Sequence, residues 1–353
     1  MNDMQRFNII FEITERCNAD CMYCYNVWKG SPTYPLGELN ARQIKKLLKK
    51  VMREINLSLI TLTGGEPLLR DDLVPIIQWI KRKGVDVNLI TNATLLNEEN
   101  IKRLIDLGVS MFEVPLLSYN RDIHNELMQI KSFDSVTEAI VKIKKYNGHV
   151  VTVFVATQKN ISDFENTAKI AYALGADGIM LNRFNAGGAG KETIDILMPS
   201  VEQLKQTLDI ANKFVENYHM PISCSIPIQP CLIDASVYKN LTFGFCAAGT
   251  DQAYYTIDSL GNLRMCNHTS EILGSLWDVS FQDLITGESA NLFCGATPEF
   301  CKSCSLETTC QGGCKASAQV CYGSLDQEEP FLRMRREGHE QHFLFRPLRK
   351  RHL

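Results

Sequence analysis

Cys17, Cys21 and Cys24 stand in one short run, Thr14-Glu15-Arg16-Cys17-Asn18-Ala19-Asp20-Cys21-Met22-Tyr23-Cys24-Tyr25. Three thiolates spaced this closely can bind three corners of an iron–sulfur cubane, leaving the fourth iron without a protein ligand on that loop. An open iron on a low-potential cluster binds and reduces a small molecule. A zinc knot or a disulfide-bonded loop is the plainer reading of the same residues. Zinc favours four ligands from paired C-x2-C elements, and this run offers three.

A second array lies far downstream. Cys246 is followed by fourteen residues, Gly261, four residues and Cys266, then by Cys301-x2-Cys304-x5-Cys310-x3-Cys314 and Cys321. A zinc ribbon built on Cys301, Cys304, Cys310 and Cys314 would leave Cys246, Cys266 and Cys321 unexplained. A third motif, Gly64-Gly65-Glu66-Pro67, joins two glycines that let backbone approach a ligand to a carboxylate suited to an ammonium group.

The whole chain sets the context. Its 353 residues exceed one ordinary core, so two domains are expected. The hydrophobic share of 45% and charged share of 22% are those of a soluble globular protein. A net charge of −3 argues against nucleic-acid binding driven by overall charge. No apolar run reaches membrane-spanning length, and no signal peptide opens the chain, so a cytoplasmic protein without a membrane partner is expected. Thirteen cysteines then read as metal ligands rather than disulfides. None occurs between Tyr25 and Ser223, a gap that a disulfide scaffold would not leave.

The elements that must position these residues alternate. Strands are expected at Phe7–Thr14, Ser58–Thr63, Val85–Thr91, Val109–Val114, His149–Thr157 and Gly178–Arg183. Helices are expected at Ala41–Ile55, Asp71–Lys83, Asn97–Leu107, Ser135–Tyr146 and Ser162–Leu174. This predicts an α/β fold with a parallel sheet, either Rossmann-like or a barrel. The cysteine run and Gly64–Pro67 follow the first two strands. Thr91-Asn92-Ala93-Thr94, Thr157 and Arg183 with Gly187–Gly190 end later ones. No G-x-G-x2-G helix entry follows that last loop, which reads as part of a cofactor or substrate mouth. A helix at Ser200–Tyr218 and a Pro-containing stretch lead to a hairpin of Ala253–Ile257 and Leu263–Cys266.

The C-x3-C-x2-C run, with Tyr23 before its third cysteine, resembles the signature of radical S-adenosylmethionine (SAM) enzymes. Gly64–Pro67 resembles that family's GGEP motif, and Thr91–Ala93 its T-N-G segment with alanine for glycine. Arg183 to Gly187 resembles the sixth-strand R-x3-G segment. The fourth strand departs from the usual S-L-D-G, reading Pro115-Leu116-Leu117-Ser118-Tyr119-Asn120, although His124 and Ser132-Phe133-Asp134 still resemble relatives. The downstream array resembles the seven-cysteine SPASM domain.

The resemblance implies a partial (β/α)6 barrel over 1–200, a connector over 201–240, a cysteine-rich SPASM domain over 241–330 and a basic tail over 331–353. It implies SAM and three [4Fe–4S] clusters. Cys17, Cys21 and Cys24 would hold the catalytic cluster, with Tyr23, Gly64, Gly65, Glu66, Asn92, Thr157 and Arg183 around SAM. Cys246, Cys266 and Cys314 would hold the first auxiliary cluster. Cys301, Cys304, Cys310 and Cys321 would hold the second. The first set lacks a fourth thiolate. Cys231 is the first choice because it precedes Cys246 on the connector, Cys224 and Cys294 are the others, and an open iron is the alternative.

The activity implied is reductive cleavage of SAM to a 5′-deoxyadenosyl radical that abstracts hydrogen. The substrate implied is a ribosomally made peptide or a protein, modified by crosslinking, excision, epimerisation or oxidation. Small-molecule cofactor or haem-type biosynthesis is one alternative, and a non-catalytic electron-transfer protein another. The first strand begins by Phe7, so leader recognition is expected from a separate small protein or the tail. A flavodoxin- or ferredoxin-type donor is expected to supply electrons. Sulfatase maturases commonly carry Asp after the second SPASM cysteine, where this chain has Asn267. Tyr119, His124, Asn185 and Tyr255 are further polar candidates, with a cap or surface role the plainer reading of His124.

Overall fold

The computed structural model describes residues 5–333. Six strands, β1 (Arg6–Glu12), β2 (Asn56–Thr63), β3 (Asp86–Ile90), β4 (Val109–Pro115), β5 (Val150–Ala156) and β6 (Gly178–Arg183), run parallel in that spatial order. Sequence neighbours are sheet neighbours, so the chain winds in one direction. A doubly wound dinucleotide fold would reverse at its centre, whereas this order is that of a (β/α) barrel. The α/β class with a parallel sheet is as expected.

Local sequence explains the elements. Ile44, Leu47, Leu48 and Val51 recur at helical spacing and bury one face of the helix Ala41–Glu54. Asn40 and Gln43 start that helix with a capping box. Along β1, Ile9 and Phe11 face the helices and are fully buried, while Ile10 and Glu12 point to the inner face. Register puts Thr63 beside Glu12, and Glu113 beside Ile90, on that same inner face.

The sheet does not stop at β6. β7 (Ile222–Cys224) and β8 (Thr242–Phe243) extend it on that side. β9 (Tyr254–Ile257) crosses to the other edge and pairs in parallel with β1, and β10 (Asn262–Arg264) and β11 (Gly274–Ser275) follow antiparallel. The expected hairpin is therefore present, and it covers the edge that β1 would otherwise expose. Hydrogen bonds between β1 and β9 cross the boundary expected near residue 240. Among the described residues, no helix is long and apolar enough to cross a membrane. The basic tail beyond Arg333 lies outside the described residues.

Candidate functional site

The cysteine loop leaves β1 at the sheet's C-terminal edge, where barrels of this kind carry their chemistry. It is tied to the loop after β2. Gly65 N–H donates to Thr14 O and Glu66 N–H to Arg16 O, both at 2.8 Å. A Cβ on Gly64 would stand 2.2 Å from Thr14 O, and one on Gly65 2.2 Å from Arg16 O. These glycines thus permit contact between two backbones, where the sequence pointed to contact with a ligand. The loop after β6 behaves alike. Gly190 N–H donates to Cys24 O (2.8 Å), and a Cβ on Gly188 would meet Asn26 O at 2.3 Å.

Cys17, Cys21 and Cys24 are all partly exposed. Burial, then Cys24 and Cys17, push the Cys21 thiol up to about 12. A thiol raised in this way gives up its proton when a cationic group binds, so Cys21 fits a metal centre. Among the described residues no three Cys, His, Asp or Glu side chains are close enough to hold a single metal ion. Three thiols on one short loop suit three corners of a cubane, where zinc would take four ligands.

Glu66 is fully buried beside this loop. Its Oε1 accepts from Thr91 Oγ1 (2.7 Å) and Leu68 N–H (3.0 Å), and its Oε2 accepts from Asn92 N–H (2.7 Å). Burial raises its pKa, and these donors oppose the rise. Oε2 keeps capacity for a further donor. Asn92 links the third strand to the cysteine loop by donating to Asn18 Oδ1 (2.7 Å). The next residue, Ala93, is buried at φ 63°, a backbone conformation that favours glycine.

The inner face of the sheet carries two carboxylates that sequence reading missed. Glu113 on β4 is half-buried, and among the described residues its side chain has no hydrogen-bond or ion-pair partner. Burial alone raises its pKa to about 7. Glu12 on β1 is buried against Arg264 of β10. Burial raises its pKa to about 7 against the opposing pull of Arg264. Among the described residues Glu12 Oε1, Arg264 Nε and Thr256 Oγ1 are buried polar atoms without a partner. Strand alternation could have located both carboxylates, but no motif distinguishes them.

Of the other ten cysteines eight form two groups, with Cys224 on β7 and Cys321 outside both. Cys246, Cys266 and Cys314 are electrostatic neighbours in chain. Asn185 Nδ2 donates to Cys314 Sγ (3.3 Å). Cys294 lies beside Cys246 and packs on Gly249. This group adjoins the first loop through Tyr25, whose ring packs tilted against His268 with centroids 4.3 Å apart and whose hydroxyl accepts from Asn267 Nδ2 (3.1 Å). The second group is Cys231, Cys301, Cys304 and Cys310, which together line a cavity of about 320 Å³.

Several expected contacts resolve differently. The Arg183 guanidinium is buried and doubly bonded to Glu329 (2.7 and 2.8 Å), with Nε donating to Pro227 O, so it is engaged away from any cofactor carboxylate. The Thr157 hydroxyl donates to Asn160 Oδ1 (2.8 Å) and is buried. Tyr23 Oη contacts Met128 Sδ (2.9 Å). Cys321 sits on the helix Lys315–Tyr322 beside Ser317, Glu329, Lys191 and Arg333, outside the lining of that cavity. Cys231 joins Cys301, Cys304 and Cys310 instead of Cys246, because the connector turns back at Gln229.

His124 is fully buried, accepting from Leu117 N–H (3.3 Å) and bonding Ser132 Oγ (3.0 Å), so it is neither a surface group nor free for acid–base work. Ser118, on the loop that lacks the usual carboxylate, donates to buried Asp163 (2.5 Å), so a carboxylate reaches this region from the segment after β5. Tyr255 is core, and Tyr119 is exposed.

A family model described as the Radical SAM superfamily matches residues 11–171. The chain is 24% identical over 340 residues to an AdoMet-dependent heme synthase of Methanosarcina barkeri, covering 92% of this chain and 95% of that one. It is 24% identical over 332 residues to a PqqA peptide cyclase of Gluconobacter oxydans, covering 92% and 89%. Among solved structures, native anSMEcpe with bound AdoMet and Cp18Cys peptide superposes with a TM-score of 0.70 at 17% identity, covering 94% of this chain and 95% of that one.

Proposed function

We propose that this chain, which carries a radical SAM domain over residues 11–171, modifies a peptide or protein by hydrogen abstraction. The observation that carries the reading is the joining of the Cys17–Cys24 loop to Gly64–Glu66 and Asn92 at the sheet's C-terminal edge, above an inner face bearing an unpartnered carboxyl. Cys17, Cys21 and Cys24 would hold the catalytic cluster, and Gly65, Glu66 and Asn92 would line the SAM side. When bound, the cluster and SAM supply one-electron cleavage of a sulfonium and removal of a hydrogen atom from substrate.

The chain's own residues do the rest. Glu66 presents a buried carboxylate, oriented by Thr91 and Asn92, to the methionyl amine. Glu113 faces the substrate space and holds or accepts a proton near neutral pH. Cys246, Cys266 and Cys314, adjoining the first loop through Tyr25, would hold an auxiliary cluster, with Cys294 beside them. Such a cluster would supply an acceptor for an electron from an oxidised substrate. The barrel over 1–200, the connector over 201–240 and the cysteine-rich part over 241–330 divide these tasks. A separate leader-recognition protein and a flavodoxin- or ferredoxin-type donor complete the system.

The near-full-length likeness to an AdoMet-dependent heme synthase favours a second reading, a tetrapyrrole substrate. Anaerobic reactions with SAM and reductant separate the two. One contains the short peptide encoded beside the gene, the other a carboxylated tetrapyrrole. A SAM-dependent mass change in the peptide supports the proposal, and a change confined to the tetrapyrrole overturns it.

A further inference from the structure

The segment between β7 and β8 ends the connector in a turn, with Leu232 and Ile233 N–H groups donating to Gln229 O at 2.9 and 3.1 Å. A buried network fixes that turn. Glu329 receives Gln229 Nε2, both Arg183 Nη2 bonds and the Cys314 N–H (2.9 Å). Thus β6, the turn before Cys231 and the Cys310–Cys314 run share one carboxylate. The last run can approach because Gly312 and Gly313 lie at φ 78° and 91°. A Cβ on Gly313 would stand 1.9 Å from Gln229 Nε2, and one on Gly312 2.5 Å from Pro298. The Gly313 N–H donates to Cys310 O at 3.1 Å, and Leu306 N–H reaches Cys304 Sγ at 3.4 Å. Backbone donors around sulfur are a feature of iron–sulfur sites. The cavity these elements enclose is lined by four thiols, Cys231, Cys301, Cys304 and Cys310.

We propose that Cys231, and not Cys321, supplies the fourth thiolate of the second auxiliary cluster. The proposal rests on the reading that this region binds auxiliary clusters. Cys321 lies seven residues beyond Cys314, the N-cap of its helix, a rise of about 10 Å along the axis, and does not line the cavity. The site is thus closed by a residue upstream of the whole C-terminal array.

The test uses the full chain with Cys17, Cys21 and Cys24 replaced by Ala, so that remaining iron reports on the auxiliary sites. Iron, acid-labile sulfide and Mössbauer spectra are measured after anaerobic reconstitution. Adding Cys231→Ala is expected to remove roughly half of that iron, or to convert one cluster of two to a three-iron form. Adding Cys321→Ala is expected to change neither content nor spectrum. The reverse pattern overturns the assignment, and no iron at all in the starting variant overturns the auxiliary-cluster reading itself. Because Cys231→Ala could act by loosening the turn, alkylation of the unsubstituted protein is compared with and without iron. Protection of Cys231 on loading, with Cys321 unchanged, supports the proposal; a Cys231 thiol equally reactive in both states refutes it.

Discussion

The two cysteine regions of this molecule are built on opposite principles. At the first loop, three thiols lie within eight residues, and the loops around them are held by short backbone contacts from β2 and β6. At the second, thiols far apart in sequence are gathered by a buried side-chain network in which Glu329 bonds Arg183, Gln229 and the Cys314 N–H. The first arrangement is local and needs glycines. The second is long-range and needs an ion pair. A local site survives damage to the remote frame, whereas the remote site depends on groups that bind nothing themselves.

The largest expected effect separates the regions outright. Cys21→Ala should abolish SAM cleavage while the iron of the C-terminal groups persists, measured as 5′-deoxyadenosine and iron per chain. Cleavage that persists in the variant would return Cys21 to a structural role.

The next tests the remote frame. Glu329→Ala leaves Arg183 buried without its partner, a loss of about 3–5 kcal/mol. Denaturant unfolding should register that loss. Partial unfolding should release iron from the Cys231 group before the Cys17 loop, so the two sites can be followed separately. Simultaneous loss from both would show that they form one cooperative unit.

A smaller, pH-dependent effect belongs to Glu113. Its pKa is raised to about 7 by burial, above the ordinary carboxylate value, so the folded state holds a proton that the unfolded state has lost between those two values. Stability should therefore fall as pH rises from about 4.5 to 7. Glu113→Gln should lessen that slope, the remainder coming from Glu12, whose pKa burial also raises to about 7, and equal slopes in both proteins would show that Glu113 has a partner in solution.

The smallest effect is at Ala93. Relieving its left-handed backbone by Ala93→Gly gains about 1 kcal/mol, which the lost methyl burial of about 0.8 kcal/mol nearly cancels. Unfolding midpoints should be almost unchanged.

The same contrast explains what the sequence disclosed. Period-2 and period-3.6 patterns located all six barrel strands to within about two residues, because burial on one face dictates them. The Cys17–Cys24 run and Gly64–Glu66 were legible because their partners are adjacent in the chain or at successive strand ends. Arg183 was misread as facing the cofactor, since nothing in its surroundings announces a partner 146 residues away. Cys231, expected beside Cys246, lies with Cys301, Cys304 and Cys310 for the same reason. Spacing orders cysteines along the chain, but the turn at Gln229 decides which of them meet. Glu113 escaped notice because an unpaired inward carboxyl on a strand resembles any exposed acidic residue until register places it.

The most direct test of the central claim follows a hydrogen atom. The candidate peptide is prepared with deuterium at its non-exchangeable carbon positions and incubated anaerobically with the reconstituted protein, SAM and reductant. Hydrogen abstraction from the peptide predicts deuterium in the 5′-deoxyadenosine recovered, together with a peptide of altered mass or lost label. Unlabelled 5′-deoxyadenosine beside a fully labelled, unchanged peptide would contradict the account.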